Sequence, residues 1–398
     1  MVKKGTKAII ALAATLLATT PALAAEDFPI SADVETGIGF DTNAYRTPNG
    51  RYYDPRSGVG GMFINPDVQE GSFVPVRVDL GLDLPFSDRV AAKGKYTFDG
   101  SFYNDSKMNN ADEQTHNASL GLEFAFIPEK KQRGTIYVGA VGKMRDKTYV
   151  DRDTGMPTIT DVSETDISGK YTYESVGGEI IVEKRFDAFR VAINGGYSEY
   201  TYDDPVVVSS NDKSRTSGGV DFSYDVTGDT RLKAGYSYTV DEFDERRPHE
   251  LDGTSGPMNE RVEYVFHDIG VGVKQSFGKK VDAYLDYHHI IRNDEYKEYY
   301  DYTKNTVDGK IVVKPIENLK LVAKAGYTKT DYPDAFAFDL PAYPGLEYEI
   351  VDAGFKAEYM FTENFGAWIE YDYTQEDTTD LRYAYDRQMT MVGLRAEY

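Results

Sequence analysis

Residues 76–84 alternate strictly between apolar and polar side chains. Val76, Val78, Leu80, Leu82 and Leu84 take one parity, and Arg77, Asp79, Gly81 and Asp83 the other. A strand sends successive side chains to opposite faces, so this segment predicts a strand with one greasy and one wet face. The same rhythm returns along the chain, clearly at Val90–Phe102, Leu120–Phe126, Phe189–Tyr197, Leu232–Val240 and Val281–Ile291. A first strand falls near 33–44 and a last near 385–398. The total is about sixteen, with eighteen as the alternative count, and helical periodicity is scarce.

The connections sort into two kinds. Short ones fall near Pro85–Arg89, Pro128–Gly134, Lys184–Asp187, Thr227–Thr230, Gly278–Lys280, Pro315–Asn318 and Thr362–Asn364, all rich in turn-forming residues. Longer polar stretches lie between them, the longest near 46–72, 146–167 and 244–260. Short turns on one side and long loops on the other predict an all-β protein, a closed antiparallel transmembrane β-barrel with periplasmic turns and extracellular loops. Two strands lose phase: Val262, Tyr264 and Phe266 give way to Ile269, Val271 and Val273, and Tyr348 and Ile350 to Val351, Ala353 and Phe355. A bulge, or exit of the strand from the bilayer, is expected at each place.

The N-terminus fits that compartment. Lys3, Lys4 and Lys7 precede an apolar run from Ala8 to Ala18, and Pro21-Ala22-Leu23-Ala24 offers a small-x-small cleavage site. This predicts a signal peptide over 1–24, with the barrel domain over 25–398. No second long apolar run occurs, and the mean hydropathy is −0.51, as a barrel allows because only alternate residues meet lipid. The chain has no cysteine, which excludes disulfides, a lipoprotein anchor and thiol chemistry. The net charge of −22 falls to −25 once the three signal-peptide lysines leave, which argues against nucleic acid as a partner. Much of the acid lies in expected loops such as Asp241-Glu242-Phe243-Asp244-Glu245, which could bridge cations to lipopolysaccharide or simply remain solvated.

Aromatic residues divide by strand end. Phe86, Phe126, Phe186, Phe277, Phe361 and Phe365 sit by the short turns. Tyr103, Tyr149, Tyr200, Tyr202, Tyr299, Tyr300, Tyr302, Tyr332, Tyr373, Tyr383 and Tyr385 crowd the opposite ends. Two interfacial girdles would produce this division. Gly393 and the terminal Tyr398 resemble the C-terminal signal read by the outer-membrane insertion machinery, with Ala396 departing from it.

Enzyme signatures are lacking. His116, His249, His267, His288 and His289 fall on separate strands or loops, and neither a Gly-x-Ser-x-Gly elbow nor a His-Glu-x-x-His occurs. Asp203-Asp204 and Asp241–Glu245 are the acidic segments that a barrel hydrolase could use at its rim. Asp151–Gly155 has the flavour of a calcium loop without its full spacing, and a surface turn is the plainer reading. His288 and His289 point to opposite faces of one strand and cannot easily share an ion. No metal or cofactor is expected.

The polar parity carries Arg77, Lys93, Lys95, Lys143, Arg145, Arg190, Lys233, Arg292, Lys320 and Lys324, against Asp79, Asp83, Asp99, Glu123, Glu179, Asp221, Asp225, Asp282, Asp286, Glu370 and Asp372. A dry core could not hold so many charges, whereas a water-filled lumen can. Tyr103, Tyr137, Tyr200, Tyr202, Tyr284, Tyr300, Tyr302 and Trp368 share that parity. They could form a stacking track for sugars, or some could stand on strands above the membrane.

The segment Phe40-Asp41-Thr42-Asn43-Ala44-Tyr45-Arg46-Thr47-Pro48 resembles the opening of the beta-barrel porin type 2 family, an aromatic-Asp-x-Asn followed closely by Arg. The resemblance implies an outer-membrane barrel, often encoded with exopolysaccharide synthesis and export genes, and hence polysaccharide export components as partners. It carries over no functional residue. A similar opening occurs in barrels that move lipoproteins to the surface, which usually carry a preceding helical repeat.

The expected function is a passive porin-like channel in the outer membrane of a Gram-negative bacterium, passing small solutes or oligosaccharide. The alternatives are a non-conducting structural or adhesive barrel bound to lipopolysaccharide or matrix polymer and, more weakly, a barrel hydrolase. The loop near 146–167 is the expected constriction, and that near 46–72 the second choice.

Overall fold

The computed structural model describes residues 30–55, 60–127, 129, 132–157, 166–203, 211–257 and 260–398. The expected signal peptide, and Asp204 of the acidic rim pair, lie outside them. Sixteen strands close into one antiparallel barrel, and two more form a small hairpin in the first loop.

The chain enters on β1 (Ile30–Asp41), crosses the hairpin β2 (Tyr52–Asp54) and β3 (Met62–Ile64), and returns on β4 (Gly71–Ser87). It then meanders through β5 (Val90–Tyr103), β6 (Glu113–Ile127), β7 (Gly134–Lys147), β8 (Tyr173–Phe186), β9 (Phe189–Tyr202), β10 (Lys213–Asp225) and β11 (Thr230–Phe243). It finishes through β12 (Glu263–Phe277), β13 (Val281–Asp294), β14 (Tyr302–Ile316), β15 (Leu319–Phe336), β16 (Gly345–Met360), β17 (Phe365–Thr378) and β18 (Tyr385–Glu397). β18 pairs back onto β1 from Asp33↔Glu397 to Asp41↔Met389, and Tyr398 exchanges two backbone hydrogen bonds with Ala32. The barrel sheet has no open edge, which is what a bilayer demands of a sheet.

The short connections all lie at the end that carries Ile30 and Tyr398, and the long loops at the other. Apolar side chains of one parity project outward: Ile38, Leu120, Val176, Ile193 and Val392 are each 57–67% exposed. Val34, Val76, Val78, Phe98 and Phe102 form an apolar cluster on the same outer wall.

The sequence pattern misleads at two kinds of place. Neither phase change marks a bulge: β12 pairs without a shift on both sides, and β16 runs in register with β17. Instead Tyr264 and Tyr348 turn into the mouth and pack there, Tyr264 with Phe243 and Val262 and Tyr348 with Tyr332. The register shifts lie elsewhere, at Pro85/Ser87, Ala125/Ile127, Val313/Ile316 and Asp331/Phe336.

The upper girdle is also reassigned. Tyr103, Tyr299 and Tyr385 are buried on the inner side. The rings that face outward there include Tyr197, Tyr236, Tyr238, Tyr287, Tyr327 and Tyr371, and the expected Tyr373 shares the outward parity of Tyr371. Both groups lie near strand ends, and only side-chain parity separates them. The phenylalanines of the short-turn end, from Phe86 to Phe365, do face outward.

Candidate functional site

The inner wall is built by the polar parity of every barrel strand. The predicted wall residues share that parity, and several of them stand in ion-pair clusters. The largest cluster crosses the β18–β1–β4 seam. Arg77 reaches Glu370 at 2.6 Å and Glu35 and Asp99 at 3.4 Å. Lys356 bonds Glu35 at 2.7 Å and Glu358 at 3.0 Å, and Lys320 bonds Glu358 at 2.8 Å. Lys324 pairs with Asp372 at 2.7 Å, while Arg395 pairs with Asp33 at 2.7 Å and Glu358 at 3.1 Å. Glu35, Lys356, Glu358 and Arg395 escape sequence reasoning; their parity on β1, β16 and β18 was the only signal available.

Other predicted residues sit apart from this cluster. Lys93 pairs with Asp83 at 2.5 Å, Arg145 with Glu113 at 2.5 Å, and Arg190 with Glu183. Asp221 accepts from Asn194, and Asp282 from Ser276 and Lys274. Lys143 lies over the Tyr173 ring. Lys233 and Asp286 line one groove on β9–β13, and Lys95 lies on β5 near Tyr137 of β7, both lining a cavity toward the short-turn end. Asp79 is exposed on the inner face of β4. Asp241, read from sequence as a loop acid, is a wall residue on β11, 1% exposed and held by Lys213 and Arg215 at 2.7 and 2.6 Å.

The predicted aromatic residues do not form one line. Tyr200 and Tyr202 gather with Tyr173, and Tyr300 and Tyr302 surround Arg292 together with Tyr264 and Tyr332. Tyr284 lies between Lys274 and Lys310, and Tyr137 lines a separate cavity with Ser119 and Glu179. Tyr103 donates to Asp41. Trp368 is 2% exposed, flanked by Arg77 and Lys356, and donates to Leu394 O at 3.2 Å, so it has no free face for a sugar. A Cβ at Gly393 would lie 2.7 Å from its ring and 2.2 Å from Thr36 O. Glycine is therefore what lets Trp368 settle against the seam.

The motif after β1 is a clip across the same seam. Asp41 is wholly buried and binds the Arg387 guanidinium, with Nη2 at 2.6 Å. Asn43 accepts from Thr47 N at 2.7 Å and donates to Thr47 O and Asp386 O. This tight loop leaves Arg46 in the left-handed region, at φ 55°.

Two groups of loops fold in over the mouth. Residues 148–157 form a small hairpin closed by a Val150–Pro157 bridge. Its Asp151 carboxylate is used by its own turn, accepting from Asp153 N, Thr154 N and Thr154 Oγ1. That is the surface-turn reading of this segment. The hairpin meets the first loop, where Tyr52 donates to Asp153 at 2.7 Å and Asp67 N bonds Asp153 O. It also reaches the start of β18, where Arg152 lies over Tyr383 and Tyr385. Beneath it is a chamber of about 610 Å³. Burial pushes the Tyr149 phenol up to about 12, and burial followed by the bond to Asp153 pushes Tyr52 up as well. Asp112, at the chamber's edge, rises to about 6, mainly through burial.

The second group brings residues 244–257, 295–301 and 337–344 together. His249 stacks on Tyr299 at 5.4 Å and meets the edge of Tyr300 at 4.9 Å. Burial lowers its basicity below the ordinary histidine value, against the pull of Asp339. His288 faces inward to Asp268 at 3.0 Å, and His289 outward to Asn305 at 2.8 Å.

No family model and no curated protein matches the chain. Among solved structures, the fold is similar to OmpF of Salmonella typhi in complex with daunomycin, with a TM-score of 0.51 and 13% identity, covering 93% of this chain and 97% of that one. OccAB1 of Acinetobacter baumannii follows at a TM-score of 0.44 and 12% identity, covering 92% and 96%. A bacterial polysaccharide outer membrane secretin has a TM-score of 0.43 and 11% identity, covering 92% and 97%. The fold is that of outer-membrane β-barrels.

Proposed function

We propose that the protein is an outer-membrane channel for the passive passage of small hydrophilic solutes, including oligosaccharides, in a Gram-negative bacterium. The observation that carries this reading is the inner wall. Charges of both signs line it, from Asp33 and Glu35 on β1 round to Arg395 on β18. Ion pairs spread over a whole wall are costly in a dry interior and tolerable beside water. The inward folding of residues 148–157 supports a narrowed mouth, and diffusion past fixed charges is the mechanism.

The polysaccharide part of this reading rests on the opening motif's resemblance to the beta-barrel porin type 2 family, which would make export components its partners. Lipopolysaccharide and the insertion machinery are partners that any such barrel would meet. A signal peptide cleaved after residue 24 would deliver it. The reading requires no enzyme chemistry, metal or cofactor.

One observation favours a second reading, a non-conducting structural barrel. The loops around Tyr299 pack tightly, leaving that ring 0% exposed, and the hairpin covers the other side of the mouth. Single-channel recording on the refolded protein, with and without oligosaccharides, separates the two. Ion conductance with sugar-dependent block is the expected result. A protein that inserts and never conducts leaves the structural reading.

A further inference from the structure

The chamber beneath the 148–157 hairpin presents unusual chemistry. Arg46, Arg145, Lys147, Arg152, Arg382 and Arg387 all line it, as do Tyr45, Tyr52, Tyr103, Tyr149, Tyr171 and Tyr383. Most of these cations are already engaged. Glu113 takes Arg145 and Lys147, Asp380 takes Arg382, and Asp41 takes Arg387. Among the described residues, two form no ion pair with a carboxylate: Arg46, and Arg152, whose guanidinium lies over the Tyr383 and Tyr385 rings. Both line the same chamber.

Two buried atoms of the hairpin also lack partners. Arg152 Nη1 is a donor with no acceptor, and Asp153 Oδ1 is an acceptor with no donor. The other Asp153 oxygen is occupied by Tyr52. Buried polar atoms left unpaired cost free energy, and orphans of opposite kind on consecutive residues of the hairpin that lines the chamber define what would satisfy them. The donor calls for an anion and the acceptor for a hydroxyl. The tyrosine rings add flat apolar faces beside both.

We propose that this chamber is a binding site for acidic saccharides, sugars that carry a carboxylate on a hydroxylated ring. The carboxylate would sit between Arg46 and Arg152, where a guanidinium can meet it with two parallel hydrogen bonds. A ring hydroxyl would donate to Asp153 Oδ1, and the ring's C–H face would lie on a tyrosine. Neutral sugars satisfy the hydroxyl and stacking requirements and leave the donor unpaired. Inorganic anions satisfy the donor alone. This assignment rests on the reading of the barrel as a channel for hydrophilic solutes and names the class held at its mouth.

The test is titration calorimetry on the refolded full chain in detergent, with tetragalacturonate, its methyl ester and maltotetraose as probes. Tetragalacturonate should bind at least about tenfold more tightly than either neutral probe, the size of one lost charge-assisted bond. Arg46→Gln with Arg152→Gln should remove that preference, and raised salt should weaken it. Heat-modifiable mobility on a gel reports whether the variant folds. Should it fail to fold, the ester comparison on the unaltered protein decides the matter alone. Equal affinity for acid and ester, or no binding, overturns the assignment. Conductance recorded in parallel separates the two readings: a protein that conducts but shows no acidic preference retains the channel and loses this site.

Discussion

The Tyr52 phenol donates a 2.7 Å hydrogen bond to the Asp153 carboxylate and so latches the first long loop to the hairpin of the third. The two residues are 101 positions apart, and their contact roofs the chamber. The bond joins loops rather than strands, so it should affect passage more than folding. Tyr52→Phe is expected to raise mean conductance and current noise in planar bilayers while leaving the unfolding midpoint in urea nearly unchanged. Identical current traces for variant and parent would mean that the latch does not gate the mouth.

At the seam, Asp41 is fully buried against Arg387. Removing one partner of a buried pair strands the other charge, at a cost of about 3–5 kcal/mol. Arg387→Ala should therefore lower stability by roughly that amount, whereas Asp41→Ala combined with Arg387→Met should recover part of the loss. Urea unfolding followed by tryptophan fluorescence suits this case, because Trp368 lies on the same seam.

The two faces of the wall make opposite demands. Leu120 projects outward at 60% exposure, and Asp79 lies on the inner face. A lipid-facing arginine near the bilayer midplane costs about 2–4 kcal/mol. Leu120→Arg should depress the yield of folded protein in liposomes, and Asp79→Asn should fold normally. Equal yields would contradict the assigned faces.

His249 makes the second loop group sensitive to acid. Its folded basicity is lowered, chiefly by burial against Tyr299 and Tyr300. A group depressed in the folded state contributes its stability above its unfolded pKa of about 6.5 and loses it as pH falls through the folded value. Amide protection factors across residues 244–257, taken relative to intrinsic exchange at each pH, should accordingly fall between pH 7.5 and pH 5, and His249→Phe should flatten that response. Protection that does not change with pH would assign the packing of this loop to its tyrosines alone.

The alternation of Val76 to Leu84 with Arg77 to Asp83 was enough to specify a strand and its faces, and its recurrence about sixteen times between alternating short and long connections specified the barrel, because in a bilayer backbone bonding leaves a sheet no alternative to closure. Turn chemistry fixed the order of short and long connections, since Gly, Pro, Asn and Asp act locally. Parity placed Arg77, Lys324 and Glu370 on the inner wall and left open which would pair, because partners such as Arg77 and Glu370 lie 293 positions apart in sequence and meet only once β18 closes on β1. Parity also failed at Tyr264 and Tyr348: an apolar ring at a strand end packs equally well against lipid or against a loop, and only the folded loops decide between them. The Asp41–Arg46 motif was visible as a string of residues. That it clips the seam and aims Arg46 at a chamber depends on β18 and the 148–157 hairpin arriving from distant parts of the chain.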